Sequence, residues 1–197
     1  MTHRAGREPI MRLLWQAIDR HPDISDRTYN RFLRYPAARP LEGPLAENAI
    51  WARDWFRDNA HPWCCAVRAD DAVHTRALAL LPEADEHAII VASAGPEPVA
   101  ESADRWAAGE PDRYFFIESF ASAIVEALIL ETRARLGADK HLSPGHRGWP
   151  IEENLILMNS LRAAGPLPGV LDVLPSGMLT PKKSQLAVCA LRQPSAS

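Results

Sequence analysis

The chain has 197 residues and a formal charge of −3, with 47% of its residues hydrophobic and 24% charged. These proportions are typical of globular proteins, and the length predicts one hydrophobic core rather than two full domains. The sequence has neither the concentrated Lys and Arg of nucleic-acid-binding proteins nor the run of about 20 apolar residues that spans a membrane. We therefore expect a cytoplasmic protein that binds neither nucleic acid nor membrane.

Helical spacing of apolar residues predicts three helices near the N-terminus. The first covers residues 9–20, the second covers residues 27–35 with Asp26 as a candidate N-cap, and the third covers residues 44–59. The first and the third begin at a proline, which suits the first turn of a helix because its N–H has no partner there. We expect residues 1–60 to form a helical region that packs on the core.

Beyond residue 60 the pattern alternates between short apolar runs, typical of strands, and helical stretches that begin at or near a proline. Strands are predicted at residues 63–69, 87–95, 170–174 and 184–192, the second of them buried on both faces. Helices are predicted at residues 96–108, 111–136 and 150–165. Residues 61–192 are thus expected to form an α+β core, with a mostly antiparallel or mixed sheet and packed helices, and residues 193–197 a frayed tail.

One face of the predicted helix 111–136 carries small hydroxyl groups and a carboxylate. Ser119, Ser122 and Glu126 follow one another at spacings of three and four, so their side chains lie in one row. Such a row suits the wall of a ligand cavity, and it equally suits a solvated or partner-facing side of a helix. The spacing alone leaves both interpretations open.

The loop HLSPGHRGWP, residues 141–150, raises the question of a catalytic or metal site. A metal needs at least three ligands, and His141 and His146 form no recognised ligand motif, so no metal site is predicted. Ser143 lacks the GxSxG context of an exposed nucleophile. The segment DKHLSPG approaches a corrinoid-ligating Asp-x-His-x-x-Gly motif, but its glycine comes one residue late.

A ligand-binding loop is the interpretation that remains. Pro144 fixes its backbone, and Gly145 allows the main chain to approach a ligand closely. Because a helix is predicted to follow, nearby N–H groups are suited to bind a carboxylate or a ribose oxygen. The cysteines offer no further site, since Cys64, Cys65 and Cys189 form neither an even disulfide set nor a CxxC motif.

Two segments in the last third of the chain resemble a known family. SPGHRGWPIEENLILMNSL and GVLDVLPSGMLTPKKSQLAVCAL are similar to the activation domain of cobalamin-dependent methionine synthase, and more closely to small free-standing proteins built on it. Upstream, IIVASAGPEPVAESADRWAAGEPDRYFFIESFASAIVEAL is similar to the family's strand, Gly-Pro-Glu helix and glutamate-bearing helix. The resemblance covers about residues 29–192.

The resemblance implies a helmet- or C-shaped α+β domain that binds S-adenosylmethionine and caps a corrinoid during reductive methylation of cob(II)alamin. Main-chain contacts to this donor would come from Ser143, Pro144 and Gly145, and Glu126 would lie on the binding helix. The cobalamin would be carried by a separate corrinoid protein or methyltransferase. The chain departs from the family where an acidic Thr-Glu-Ser step has become LPS at residues 174–176.

Two histidines also depart from the family pattern. His141 stands where the family has an arginine, and His146 where it has a tyrosine. Because a neutral histidine holds a carboxylate less firmly than arginine, both are predicted to contact the donor more weakly. One alternative is therefore a diverged enzyme that uses the same pocket on another small substrate, with His141 or His146 as acid or base. A domain that only binds a partner protein is a further alternative.

Overall fold

The computed structural model describes residues 12–82, 84–146 and 148–191. Its strands are β1 (Leu13–Ile18), β2 (Trp63–Arg68), β3 (Glu86–Ser93), β4 (His141–Leu142), β5 (Asp172–Val173), β6 (Leu179–Thr180) and β7 (Ser184–Leu191). Its α-helices are α1 (Asp26–Phe32), α2 (Pro44–Asn59), α3 (Asp71–Leu78), α4 (Glu97–Ala107), α5 (Pro111–Arg135) and α6 (Asn154–Ala164), and a 3-10 turn, Ile151–Glu153, precedes α6.

Five strands form the main sheet, in the order β1-β2-β3-β7-β4, and every neighbouring pair is antiparallel. The short strands β5 and β6 pair separately as a two-stranded sheet. This architecture confirms the predicted α+β class with an antiparallel sheet. The prediction that residues 87–95 are buried on both faces is confirmed as well, because all of β3 after its first residue is buried.

The sheet lies between two layers of helices. Alternate residues of its strands belong to two hydrophobic clusters, one on each face. Cys64, Ile90 and Cys189 point to one side, where they pack with residues of α1, α2 and α5. Cys65 and Val91 point to the other side, toward α3 and α6. This period-two alternation explains why the central strands carry apolar side chains at nearly every position. The three cysteines are buried and unpaired.

The predicted helix over residues 9–20 is wrong where the structure describes it, because residues 13–18 form the edge strand β1. The strand pairs with β2, and its register shifts between Leu13 and Trp15. Leu14, Trp15 and Ala17 all pack against the cluster on the α5 side of the sheet. A bulge brings two adjacent residues to one face, so the apolar pattern lost its alternation and resembled a helical stripe.

Smaller differences concern short elements. Helix α1 is capped by Ser25, whose hydroxyl accepts a hydrogen bond from the Thr28 N–H, rather than by Asp26. The strand predicted at 170–174 shrinks to β5 and lies outside the main sheet. Helix α3 and strand β4 were not predicted. The predicted tail, residues 193–197, lies outside the described residues. None of the helices in the described part of the chain is long and apolar enough to cross a membrane.

Candidate functional site

A groove of about 610 Å³ runs along the exposed side of α5. Ser119, Ser122 and Glu126 line it together, as expected for a row at helical spacing. Arg31 of α1 and Lys183, which precedes β7, also line it. The row predicted from the sequence thus faces a concave surface that is large enough for a small molecule.

Helix α1 is fixed against α5 by a buried tyrosine. The Tyr29 hydroxyl donates a hydrogen bond to the Phe116 carbonyl oxygen over 2.8 Å. The Tyr29 ring also meets the rings of Phe116 and Phe120 edge to face. Burial raises the pKa of Tyr29, so the phenol stays neutral and remains a donor at every physiological pH. This attachment places Arg31, two residues further along α1, beside the groove.

Opposite charges alternate along the groove. Arg31 Nη2 lies 2.9 Å from Glu126 Oε1 in an ion pair that is largely exposed to solvent. Lys183 Nζ donates to Ser122 Oγ over 2.9 Å and lies 3.1 Å from Glu118 Oε2. The groove therefore offers both carboxylates and cations, which suits a zwitterionic ligand better than a simple anion or cation.

Glu118 pairs with two neighbouring lysines, of which Lys183 lines the groove. Its carboxylate lies 2.8 Å from Lys182 Nζ and 3.1 Å from Lys183 Nζ. Burial raises the pKa of Glu118, but hydrogen bonds from Lys182 and Ser102 and the charge of Lys183 outweigh it and lower the pKa overall. Because the folded pKa is lowered, these ion pairs stabilise the fold at neutral pH and are lost only as the pH falls through that lowered value.

The Ser-Pro-Gly turn closes on itself. The Ser143 N–H donates to His146 Nδ1 over 3.2 Å, and the His146 N–H donates to the Ser143 carbonyl over 3.1 Å. The Gly145 N–H donates to the Trp149 carbonyl over 2.8 Å, and Gln185 Nε2 donates to Ser143 Oγ over 2.9 Å. Three backbone N–H groups of the turn are thus already bonded, so its shape is well fixed.

A hollow of about 150 Å³ lies beside this turn, lined in part by Ser143 and Pro144. Ligand pockets usually measure about 300–1,000 Å³, so this hollow alone is too small for a nucleoside. Lys182 and Ser184 line it as well, whereas Lys183 between them lines the α5 groove. The segment 182–184 is therefore a wall shared by the groove and the hollow.

His141 faces a different cavity. It lies in β4 opposite Cys189 and lines a cavity of about 720 Å³ together with Arg133. Burial lowers the pKa of His141, the charges of Arg133 and His146 lower it further, and Glu126 opposes them. The imidazole is therefore neutral at pH 7, and it lies close enough to Glu126 to sense its charge.

The structure distributes the six predicted site residues over several places. Glu126 lines the groove, Ser143 and Pro144 border the small hollow, and His141 lines the separate cavity. Gly145 and His146 are exposed at the surface of the turn.

The sequence reasoning missed Arg31 and Lys183 as groove residues. The available signal for Lys183 was its position in the family-like segment MLTPKKSQ, whereas Arg31 had none. Among the described residues, no three His, Cys, Asp or Glu side chains form a group that would hold a metal ion.

Comparisons with known proteins rest on structure alone, since no protein-family model and no curated protein matches the sequence. Among solved structures, the chain is similar to one titled "Crystal Structure of the MetH Reactivation Domain bound to AdoHcy". The TM-score is 0.55 at 12% sequence identity, over 86% of this chain and 71% of that chain. At this identity the similarity shows a shared fold, the one expected from the family-like segments.

Proposed function

We propose that this protein binds S-adenosylmethionine in the α5 groove and presents it to a corrinoid carried by a separate protein. The observation that carries the proposal is the groove itself, a concave surface on α5 with a carboxylate and two hydroxyls in one row. The fold is shared with a reactivation domain whose structure contains AdoHcy, the product of methyl transfer from this donor. The sequence resemblance points to the same ligand.

The groove fits this ligand in size and in charge. Its volume of about 610 Å³ lies within the usual range of small-molecule sites. S-adenosylmethionine carries an ammonium, a carboxylate, a sulfonium and two ribose hydroxyls. Glu126 is suited to accept hydrogen bonds from the ribose or the ammonium, and Arg31 or Lys183 to bind the carboxylate. Since an exposed ion pair contributes only about 0–1 kcal/mol, ligand binding separates Arg31 from Glu126 at little cost.

The contribution of this chain to the reaction is positioning. The bound donor supplies a methyl group, and the corrinoid of the partner protein is the substrate. The corrinoid, once reduced by one electron from a separate reductase, would accept the methyl group as the carbon–sulfur bond of the donor breaks. Residues of the groove and the turn hold the donor in one orientation, which lowers the entropic part of the barrier.

The alternative of a diverged enzyme has less support. His141 lies in another cavity and His146 is exposed on the turn, so neither lies in the groove where a substrate would be held. A base has to reach the proton it removes within hydrogen-bond distance or through one water. We therefore assign neither histidine a catalytic role.

Replacing Glu126 with glutamine tests the groove. Loss of the carboxylate should weaken S-adenosylmethionine binding about tenfold, because hydrogen bonds to a charged group contribute about 1.5–3 kcal/mol. Isothermal titration calorimetry of the full chain measures this change. Glu131→Gln is the matched control, since Glu131 also lies on α5 and also pairs with an arginine, Arg20, but lies outside the groove.

The proposal is wrong if both variants bind the ligand equally well, or if the unchanged protein does not bind it. A domain that only contacts a partner protein would give the second result. Once binding is measured, the visible spectrum of a cob(II)alamin-loaded corrinoid protein, mixed with this protein, the donor and a reductant, reports whether methylcobalamin forms.

A further inference from the structure

The cavity that contains His141 is separate from the α5 groove. It lies at the C-terminal end of α5 and measures about 720 Å³, and it shares no described lining residue with the groove. Arg133, Asp139, Lys140 and His141 form the polar part of its described lining. The rest of its described lining is apolar and consists of Leu80, Leu81, Pro82, Leu142 and Ala190. A cationic side thus faces an aliphatic side across a space large enough for a ligand.

Two nitrogen atoms at this cavity are buried without a hydrogen bond. Arg133 Nε and His141 Nδ1 have no hydrogen-bond partner among the residues that the structure describes. Buried polar groups in proteins are nearly always bonded, so each unbonded one calls for an explanation. Both atoms belong to side chains that line the cavity.

The charges of the described lining residues favour an anion, although one carboxylate and the end of α5 oppose it. Arg133 and Lys140 each carry a positive charge, whereas Asp139 carries a negative one. The last turn of α5 is the negative end of the helix dipole and also disfavours an anion, but this effect is small and screened near the surface. The guanidinium of Arg133 is the strongest attraction, since it can form two parallel hydrogen bonds with one carboxylate.

We infer that this cavity binds a small organic carboxylate, with its charged group on Arg133 and Lys140 and its apolar body on Leu81 and Leu142. An inorganic phosphate would leave the aliphatic wall uncovered. An uncharged apolar molecule would leave Arg133 without its partner. The inferred site is independent of the groove proposed for S-adenosylmethionine, so either of the two assignments can fail alone.

Binding would also change the ionisation of His141. A carboxylate beside the imidazole favours its charged form and raises the pKa of His141. The charges already acting on this ring are those of Arg133, His146 and Glu126. The protein should therefore take up protons as the ligand binds, which NMR titration of the His141 ring signals reports directly.

Hexanoate is a suitable probe. Hexanol has the same hydrocarbon chain without the charge, and inorganic phosphate has the charge without the chain. We expect hexanoate to bind the full chain with a Kd on the order of 1 mM, and the other two at least about tenfold more weakly. Arg133→Gln should weaken hexanoate binding about tenfold. Arg135→Gln should not, because Arg135 lies on the same helix over the Trp15 ring and outside the cavity.

The inference is overturned if hexanol and hexanoate bind with equal affinity. It is also overturned if Arg133→Gln and Arg135→Gln change the affinity for hexanoate equally. If Arg133→Gln fails to fold, the unchanged protein still decides, since an unaltered His141 titration at saturating hexanoate would also overturn it. Glu126→Gln should leave hexanoate binding intact, whereas Arg133→Gln should leave S-adenosylmethionine binding intact. This crossed pattern separates a failure here from a failure of the proposed function.

Discussion

Replacing Leu128 with alanine should lower the free energy of unfolding by about 3 kcal/mol. Leu128 is fully buried near the middle of α5, in the cluster that joins this helix to the sheet and to α1 and α2. The substitution removes buried apolar surface and leaves a cavity, because close-packed neighbours relax only partly. Urea denaturation followed by far-UV circular dichroism measures the change.

Leu155→Ala is the control for this experiment. Leu155 lies on α6 and remains 38% exposed, so the same substitution there should change stability by less than about 1 kcal/mol. Equal losses at the two positions would contradict the packing of α5 against the sheet. That packing also positions the groove, so S-adenosylmethionine binding by Leu128→Ala should be measured well below its denaturation midpoint.

Replacing Gly177 with alanine should destabilise the protein by roughly 3 kcal/mol. Gly177 has a φ of +81°, in the left-handed region that favours glycine. A Cβ there would lie 2.6 Å from the Ile151 carbonyl oxygen and 2.8 Å from the Glu152 nitrogen. Both contacts are with backbone atoms, so the β5–β6 turn would have to move away from the start of α6.

Gly109→Ala separates the two causes of this effect. Gly109 has a similar φ of +75°, but a Cβ there meets no atom within 4 Å. It should therefore show only the backbone penalty, about 1 kcal/mol, measured by the same denaturation experiment. If both variants lose the same stability, the close contact between Gly177 and Ile151 is not present. The comparison also tests the hollow beside the Ser-Pro-Gly turn, because Ile151 lines it.

Long elements with strong local signals were predictable from the sequence. The expected helices 44–59 and 111–136 agree with α2 and α5 to within one residue. Each begins at a proline in its first turn, and each carries a stripe of apolar residues long enough to define its period. The strands β3 and β7 were recognised by their continuous apolar runs, because a strand that is buried on both faces of the sheet carries apolar side chains at successive positions.

Elements defined by distant pairing were not predictable in this way. Strand β4 has two residues and exists because His141 and Leu142 pair with β7, which no local pattern indicates. Strand β1 was mistaken for a helix because its bulge places Leu14 and Trp15 on one face. In both cases tertiary contacts outweigh the local preference of the chain.

The candidate site shows the same division. Ser119, Ser122 and Glu126 belong to one helix, so their spacing sufficed to bring them to one face. Arg31 and Lys183 reach the same groove from segments far away in the sequence, and only the fold brings them there. His141 was grouped with the turn by its nearness in sequence, whereas its strand directs it to the cavity beside Arg133.

A crystal structure of the protein grown with S-adenosylhomocysteine tests the central claim most directly. The account predicts that the ligand lies in the α5 groove, in contact with Ser122 and Glu126, and extends along residues 182–184 toward Ser143. A ligand bound instead in the cavity of His141 and Arg133, with the α5 groove empty, would contradict it.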